Sequence, residues 1–156
     1  MRLACRLLYD LAARSQDLTD LRFSSFVQVP EGANVIWNPR KQHRSNVLRK
    51  CFIPPETVLL LNEYKGQKQE DSLLYPHTDS VMNDLLHKQF KKIGANVSSH
   101  DFRHSKLTDL GKDLSPQDVR DYAGHSSISV TDVYLHSKQE DVLKRVAGLY
   151  GKLKQQ

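Results

Sequence analysis

Two arginines in this chain each stand three residues from another polar side chain. Arg14 precedes Asp17 by three positions, close enough for the carboxylate to hold the guanidinium. His100 precedes Arg103 by the same interval in a stretch with helical periodicity, so both side chains leave one face of that helix. Guanidinium groups bind phosphate oxygens through two parallel hydrogen bonds. The two pairs could therefore contribute to a phosphate site.

Three more residues extend this set. His125 follows Gly124, which is expected to end a helix and leave the imidazole free to point into a cleft. Tyr134 comes nine residues later, and Lys41 lies in a basic loop. Imidazole and ammonium groups can transfer protons, and a tyrosine hydroxyl can act as a nucleophile. Together with the two arginines, these groups indicate chemistry at a phosphodiester.

The composition fits one compact domain. The chain has 156 residues, of which 38% are hydrophobic, enough for a core and too many for a disordered chain. Its apolar runs fall far short of the roughly 20 residues that a membrane span needs, and its first residues, interrupted by Arg6 and Asp10, lack the apolar region typical of a signal peptide. We therefore expect a single domain over residues 1–156 in an intracellular protein. Cys5 and Cys51 lack CxxC or zinc-finger spacing, which excludes a disulfide scaffold and a cysteine metal site.

Positive charge is concentrated in one stretch. With 23 Lys and Arg against 18 Asp and Glu, the formal net charge is 23 − 18 = +5. No acidic residue occurs between residues 33 and 55, where five basic residues fall close together: Arg40, Lys41, Arg44, Arg49 and Lys50. Such a patch fits nucleic acid binding, although a solvated hairpin loop has the same composition.

Hydrophobic periodicity predicts the elements that position these residues. The first two dozen residues are predicted to form one or two helices, followed by short antiparallel strands at 26–29, 35–37 and 47–53. Later helices are predicted from Pro55 and over residues 81–93, 100–110, 116–122, 130–136 and 143–150. The predicted fold class is α+β, mostly helical, with a small three-stranded antiparallel sheet.

Four sequence boxes resemble those of the tyrosine recombinase (phage integrase) family. The boxes are Ala-Ala-Arg-Ser-Gln-Asp-Leu-Thr-Asp-Leu-Arg at 12–22, His-Asp-Phe-Arg-His at 100–104, Ala-Gly-His-Ser-Ser at 123–127 and Thr-Asp-Val-Tyr at 131–134. They follow the family's order and spacing, and the similarity spans roughly residues 3–149. One box alone would mean little, whereas four in register are a specific pattern.

The boxes depart mildly from the family's usual residues. Ala12 stands where a glycine is usual, Asp17 where a glutamate is usual, and Phe102 and Ala123 where leucines are usual. Each substitution keeps the charge or the apolar character of the position.

The resemblance implies roles for the site residues. Tyr134 would attack the scissile phosphate and form a covalent 3′-phosphotyrosyl intermediate, so that rejoining needs no ATP. Arg14 and Arg103 would stabilise charge on the non-bridging oxygens. Lys41 would donate a proton to the departing 5′ oxygen, with Lys50 as the competing candidate for this role.

The remaining site residues would support this reaction. His100 would assist proton transfer or orient the phosphate, and His125 would hydrogen-bond a non-bridging oxygen. Asp17 would position Arg14, and Arg40 and Arg44 would bind DNA. No metal or other cofactor and no small-molecule substrate are implied, because the arginines supply the positive charge.

The resemblance also implies partners. Double-stranded DNA would be the substrate, and four protomers would assemble on two duplexes, with the last helix packed against a neighbouring subunit. The family's N-terminal core-binding domain is expected to be absent, because Met1 lies about a dozen residues before Arg14. The protein would act where the DNA is, in the cytoplasm of a bacterium or phage host or in a eukaryotic nucleus.

Three other functions fit parts of the pattern. A DNA-binding domain could retain this fold without catalysis. A type IB topoisomerase shares the chemistry, but its box resembles KxxR, so His100 favours a recombinase. A zinc hydrolase could use His100, His104 and His125 as ligands, yet Asp101 stands where the zincin motif needs glutamate, and Arg103 adds repulsive charge. His104 could equally be structural.

Overall fold

A computed structural model describes residues 1–38, 48–124 and 142–150. These residues form helices, a three-stranded sheet and a short 3-10 turn at Phe23–Ser25. In chain order the elements are α1 (Arg2–Asp10), α2 (Ser15–Asp20), β1 (Phe26–Val29), β2 (Gly32–Trp37), β3 (Arg49–Ile53), α3 (Pro55–Lys65), α4 (Asp79–Lys91), α5 (Ser99–Leu110) and α6 (Pro116–Ala123). Residues 142–150 are helical and are called the C-terminal segment. The predicted fold class, mostly helical with a small antiparallel sheet, is confirmed.

The sheet has the strand order β1-β2-β3, with both pairs antiparallel. Alternate residues of a strand face the same side, and one face of the β2–β3 pair is buried. On this face Ala33 pairs with Ile53, Val35 with Cys51, and Trp37 with Arg49. The sheet therefore brings one arginine, Arg49, into the apolar interior.

Helix α1 lies at the centre of the core. Its leucines at positions 3, 7 and 8 recur at helical spacing and are buried. The helix packs against α3 and α5 and reaches β3, while α2 packs against α4. This arrangement places the start of α2 beside the helices that follow the sheet.

Local start signals position the later helices as predicted. Pro55 is the first residue of α3, where its missing N–H costs nothing. Ser115 caps α6 by accepting a hydrogen bond from the Asp118 backbone N–H at 3.2 Å. Gly124 ends α6 in the left-handed conformation with φ +63°. The helix predicted at 130–136 lies outside the described residues.

The C-terminal segment packs on this chain's own core. Val142 and Val146 are buried, and the Tyr150 hydroxyl donates to Asp10 Oδ1 at 2.9 Å. Arg145 donates to both carboxylate oxygens of Asp118, at 2.7 and 2.9 Å. These contacts hold the segment on its own chain, and the expectation that the last helix also packs against a neighbouring subunit stays a prediction.

None of the helices within residues 1–38, 48–124 and 142–150 has the length and apolarity to cross a membrane.

Candidate active site

A groove of about 680 Å³ opens between the starts of α2, α4 and α5. Arg14, directly before α2, and His100, in the first turn of α5, both line it. The groove also exposes polar groups of α4, including Asp79 and Asn83. Two of the predicted site residues, far apart in sequence, thus face one cavity.

Arg14 immediately precedes α2, and Asp17 holds its main chain. The Arg14 backbone N–H donates to Asp17 Oδ2 at 2.8 Å, and the Asp17 backbone N–H donates to the Arg14 carbonyl at 3.0 Å. The carboxylate therefore grips the Arg14 backbone, whereas the sequence predicted that it would hold the guanidinium. This reciprocal pair of hydrogen bonds fixes the start of α2, where Arg14 lines the groove.

The carboxylate of Asp17 pairs instead with Arg49, which the sequence analysis placed only in the basic patch. Both side chains are buried, and Arg49 Nη1 lies 3.5 Å from Asp17 Oδ2. Arg49 Nη2 donates to the carbonyls of Leu11 at 3.2 Å and Tyr122 at 3.0 Å, and its guanidinium lies 4.8 Å from the centre of the Trp37 ring. Arg49 is therefore an interior cross-link between β3, α2 and α6, so counting it as patch charge was wrong.

Arg103 joins two of the sequence boxes. It is 6% exposed, and its guanidinium donates to the Ala12 carbonyl and, at 2.9 Å, to the Ala123 carbonyl. Ala12 lies two residues before Arg14, and Ala123 lies two residues before His125. One buried side chain thus fixes the distance between the chain segments that carry the first and third boxes.

Positive charge is concentrated around Arg103. Burial, together with the nearby positive charges of Arg49 and then Arg14, lowers the pKa of Arg103 to about 10. Asp17 opposes this effect with its negative charge. Three guanidinium groups close enough to influence one another, with one carboxylate among them, make a surplus of positive charge that favours an anion.

One residue of the first box, Ala12, has a backbone conformation that favours glycine. Ala12 has φ +45°, in the left-handed region that non-glycine residues rarely adopt. The family usually has glycine here, which adopts this conformation without a steric penalty. The hydrogen bond from the Arg103 guanidinium to the Ala12 carbonyl helps to hold the Ala12 backbone in this conformation.

His100 is exposed at the second position of α5. The helix start is held by Asp101, whose Oδ2 accepts from the Ser98 N–H and from the Ser98 hydroxyl, both at 2.7 Å. The hydrogen bond from the Ser98 backbone N–H, with that from its hydroxyl, lowers the pKa of Asp101. His104 is exposed one turn later. Within the described ranges no three His, Cys, Asp or Glu side chains form a metal-binding group.

Five predicted site residues lie outside the described ranges: Lys41, His125, Tyr134, Arg40 and Arg44. Lys50, the competing lysine, lies in β3 and is half-buried beside the buried Arg49. The Arg49 interaction is the one that sequence reasoning missed. Its signal was the alternation along β3, which puts Arg49, Cys51 and Ile53 on one face.

A comparison with known families agrees with this arrangement. The family described as "Phage integrase family" matches residues 1–141, which include all four boxes. The chain belongs to the phage integrase family.

Other members of the phage integrase family resemble this chain along most of its length. "Tyrosine recombinase XerA" of Saccharolobus solfataricus is 29% identical over 143 residues, covering 90% of this chain and 47% of the relative. "Tyrosine recombinase" of Agathobacter rectalis is 27% identical over 154 residues, covering 88% of this chain and 48% of the relative. The chain spans about half the length of the curated relatives that it matches.

A solved structure has the same fold. The crystal structure of XerA recombinase superposes with a TM-score of 0.63 at 20% sequence identity, covering 90% of this chain and 55% of that chain.

Proposed function

We propose that this chain cleaves and rejoins DNA strands through a covalent 3′-phosphotyrosyl intermediate on Tyr134. The observation that carries the proposal is the position of Arg103, whose buried guanidinium bonds both Ala12 and Ala123. The box of Arg14 and the box of His125 therefore meet at the box of Arg103. Such convergence of distant segments is what a phosphodiester site requires.

The reaction divides into an attack and a departure. The Tyr134 oxygen forms a bond to phosphorus as the bond to the 5′ oxygen breaks, and the electrons of that bond remain on the 5′ oxygen. Lys41 donates a proton to this oxygen, and His100 assists removal of the phenol proton. Attack by the 5′ hydroxyl on the phosphotyrosine reverses these steps and releases Tyr134.

The arginines contribute electrostatic stabilisation. Charge develops on the non-bridging oxygens in the transition state, and preorganised cations lower its energy in a site that excludes water. Arg14 lines the groove and is suited to direct contact with the phosphate. Arg103 gives two hydrogen bonds to the backbone, so we propose that it both holds the site together and adds its charge to the phosphate. His125 would donate to a non-bridging oxygen.

The substrate and assembly follow from the same proposal. Double-stranded DNA is the expected partner, with Arg40 and Arg44 binding its backbone. We propose that the described domain is the catalytic part of a recombinase and that four copies act together on two duplexes. No metal is needed for the steps above, so activity should persist in EDTA.

Covalent trapping tests the proposal. The protein is incubated with nicked duplex DNA of mixed sequence, denatured in SDS and examined for a protein–DNA adduct. Wild type should form an adduct that Tyr134→Phe abolishes, and mass spectrometry should place the nucleotide on Tyr134. Tyr64→Phe, which removes a hydroxyl from α3, is the matched control and should leave the adduct unchanged.

Two results would contradict the proposal. An adduct that persists in Tyr134→Phe would require another nucleophile. If no adduct forms, even after fusion to a helical core-binding domain, the chain is better explained as a DNA-binding domain without catalysis.

A further inference from the structure

A chain of hydrogen bonds crosses the groove beneath Arg14 and His100. The Ser15 hydroxyl donates to Asp79 Oδ1, and the Asn83 amide donates to the same oxygen at 3.1 Å. The Ser99 hydroxyl in turn donates to Asn83 Oδ1 at 3.1 Å. We call these four side chains, Ser15, Asp79, Asn83 and Ser99, the α4 bridge.

The ends of the α4 bridge lie next to the two groove-lining site residues. Ser15 directly follows Arg14, and Ser99 directly precedes His100. Both serines are buried, 6% and 5% exposed respectively, so their hydroxyl groups depend on protein partners. A displacement of α4 would therefore be transmitted to both sides of the groove.

The hydrogen bonds of the α4 bridge can run in only one donor-to-acceptor direction. An ionised Asp79 can only accept hydrogen bonds, so the Asn83 side chain must present its NH₂ group to it. The amide oxygen of Asn83 then faces Ser99, which must donate. An aspartate at position 83 could accept from Ser99 but could not donate to Asp79. A leucine there could neither donate nor accept.

We propose that Asp79 and Asn83 are positioning residues that fix the distance between Arg14 and His100. This inference rests on the proposed strand-cleavage function. The α4 bridge sets the starts of α2 and α5 against the same two residues of α4, and thereby holds the guanidinium of Arg14 and the imidazole of His100 at one groove. Misplacement of reacting groups by about 1 Å can cost roughly 100-fold in rate.

The test compares the rate of adduct formation with DNA affinity. Asn83→Asp replaces the donor with a like charge beside Asp79, and Ser99→Ala removes the other end of the bridge with minimal change in volume. Each variant should lower the adduct rate at saturating nicked duplex by roughly 10- to 100-fold. In Ser99→Ala, which changes no charge, the dissociation constant for DNA should change by less than about twofold, because phosphate contacts dominate affinity. Asn83→Asp adds a negative charge at the groove, so for this variant only the rate at saturating DNA is compared.

Matched variants control for charge and for lost hydroxyl groups. Asn62→Asp makes the same change on the exposed face of α3, and Ser105→Ala makes the same change on the exposed face of α5. Both should react at the wild-type rate. Equal saturated rates in Asn83→Asp, Ser99→Ala and their controls would overturn the positioning role, as would a loss confined to DNA affinity.

A double-mutant cycle separates positioning from a general loss of structure. If Ser99 acts through His100, Ser99→Ala should cost less than about twofold when His100 is already alanine. An undiminished loss in the His100→Ala background would overturn the inference. Failure of the proposed function gives a different result: the wild type and both controls would form no adduct that depends on Tyr134.

NMR spectra of the free chain provide a readout that needs no catalysis. In a ¹H–¹⁵N correlation spectrum, Ser99→Ala should shift the amide signals of Ser15 and Gln16 across the bridge, whereas Ser105→Ala should not. Shifts confined to α5 would show that α2 and α5 are positioned independently, which would contradict the proposal.

Discussion

At the scale of single residues, Ala12 combines a strained backbone with a fully buried methyl group. Its φ of +45° costs a non-glycine residue about 1–2 kcal/mol, while the buried methyl contributes about 0.8 kcal/mol. Ala13 is equally buried, and its φ is not positive. We therefore expect Ala12→Gly to be about 1–2 kcal/mol less destabilising than Ala13→Gly.

Urea denaturation of the two glycine variants measures this difference directly. Both lose the same methyl group and gain the same flexibility in the unfolded chain, so these contributions cancel in the comparison. Equal unfolding free energies would show that the left-handed conformation at Ala12 costs nothing.

The buried pair of Asp17 and Arg49 leads to a second prediction. Asp17→Asn removes the negative charge that opposes a 3%-exposed guanidinium, and leaving a buried charge unpaired typically costs about 3–5 kcal/mol. We expect a loss of about 3 kcal/mol in the free energy of unfolding. Asp113→Asn makes the same change at an exposed position and should shift stability by less than about 0.5 kcal/mol.

A small effect of Asp17→Asn would mean that the carbonyls of Leu11 and Tyr122 suffice to hold Arg49. The comparison is made by denaturation at pH 7 without DNA, so it reports the fold and not the chemistry.

Arg49 also marks the limit of prediction from sequence at this scale. The residue types of Arg14, His100 and Arg103 indicated phosphate chemistry because they matched known boxes. Arg49 lies outside the boxes, and in sequence it resembles its solvated basic neighbours. Its burial depends on the pairing of β3 with β2, a long-range contact that local composition does not encode.

At the scale of secondary-structure elements, the start of α5 depends on an ionised Asp101. Hydrogen bonds from Ser98 hold the folded-state pKa of Asp101 below its usual value of 3.8. Because the folded-state pKa is the lower one, the stabilisation is fully present above pH 3.8 and is lost as the pH falls through the depressed pKa. Asp101→Asn should therefore lower the midpoint of thermal unfolding at neutral pH.

The pH dependence distinguishes this effect from simple packing. The difference in midpoint between wild type and Asp101→Asn should shrink as the pH falls from 5 towards 2, because the wild-type carboxylate becomes neutral. Circular dichroism melts across this range measure it. A difference that stays constant with pH would show that ionised Asp101 does not stabilise the helix.

The C-terminal segment is held by a buried polar cluster at Tyr150. Its hydroxyl accepts from Lys106 Nζ at 2.6 Å and donates to Asp10 Oδ1 at 2.9 Å. Lys106 is 4% exposed, so Tyr150→Phe leaves its ammonium group short of an acceptor. We expect a loss of about 1–3 kcal/mol in unfolding free energy and faster proteolysis within the segment.

Tyr64→Phe is the matched control for this variant and should change stability by less than about 0.5 kcal/mol. If both tyrosine variants are equally stable and equally resistant to protease, the cluster does not anchor the C-terminal segment.

Element boundaries show why part of the fold was predictable. The Ser-Pro start of α6, Pro55 at the start of α3 and Gly124 at the end of α6 act through bonds within one turn, so the sequence alone locates them. The docking of Tyr150 on Asp10 joins residues 140 positions apart. Contacts of that range depend on the whole fold, which explains why the periodicity of residues 143–150 predicted a helix but not its docking on Asp10.

At the scale of the whole molecule, part of the positive charge behind the net +5 is buried and is not available to a partner. The guanidinium of Arg49 pairs with Asp17 inside the protein, and that of Arg103 donates to two backbone carbonyls. Arg14 is half-buried and lines the groove. If the chain binds DNA as proposed, the charge that this groove offers to the phosphates is therefore smaller than the composition suggests, and Arg14 contributes to it.

This distribution predicts how DNA binding responds to salt. The logarithm of the association constant should fall linearly with the logarithm of salt concentration, with a slope of about −0.9 for each phosphate neutralised. Arg14→Gln should reduce the magnitude of that slope by about one, because it removes one phosphate contact. Lys112→Gln removes the same charge at an exposed lysine that pairs with Asp109 and should leave the slope unchanged. Fluorescence anisotropy with a labelled duplex from 50 to 300 mM salt gives the slopes, and a parallel fall in both variants would indicate that net charge, not the groove, governs binding.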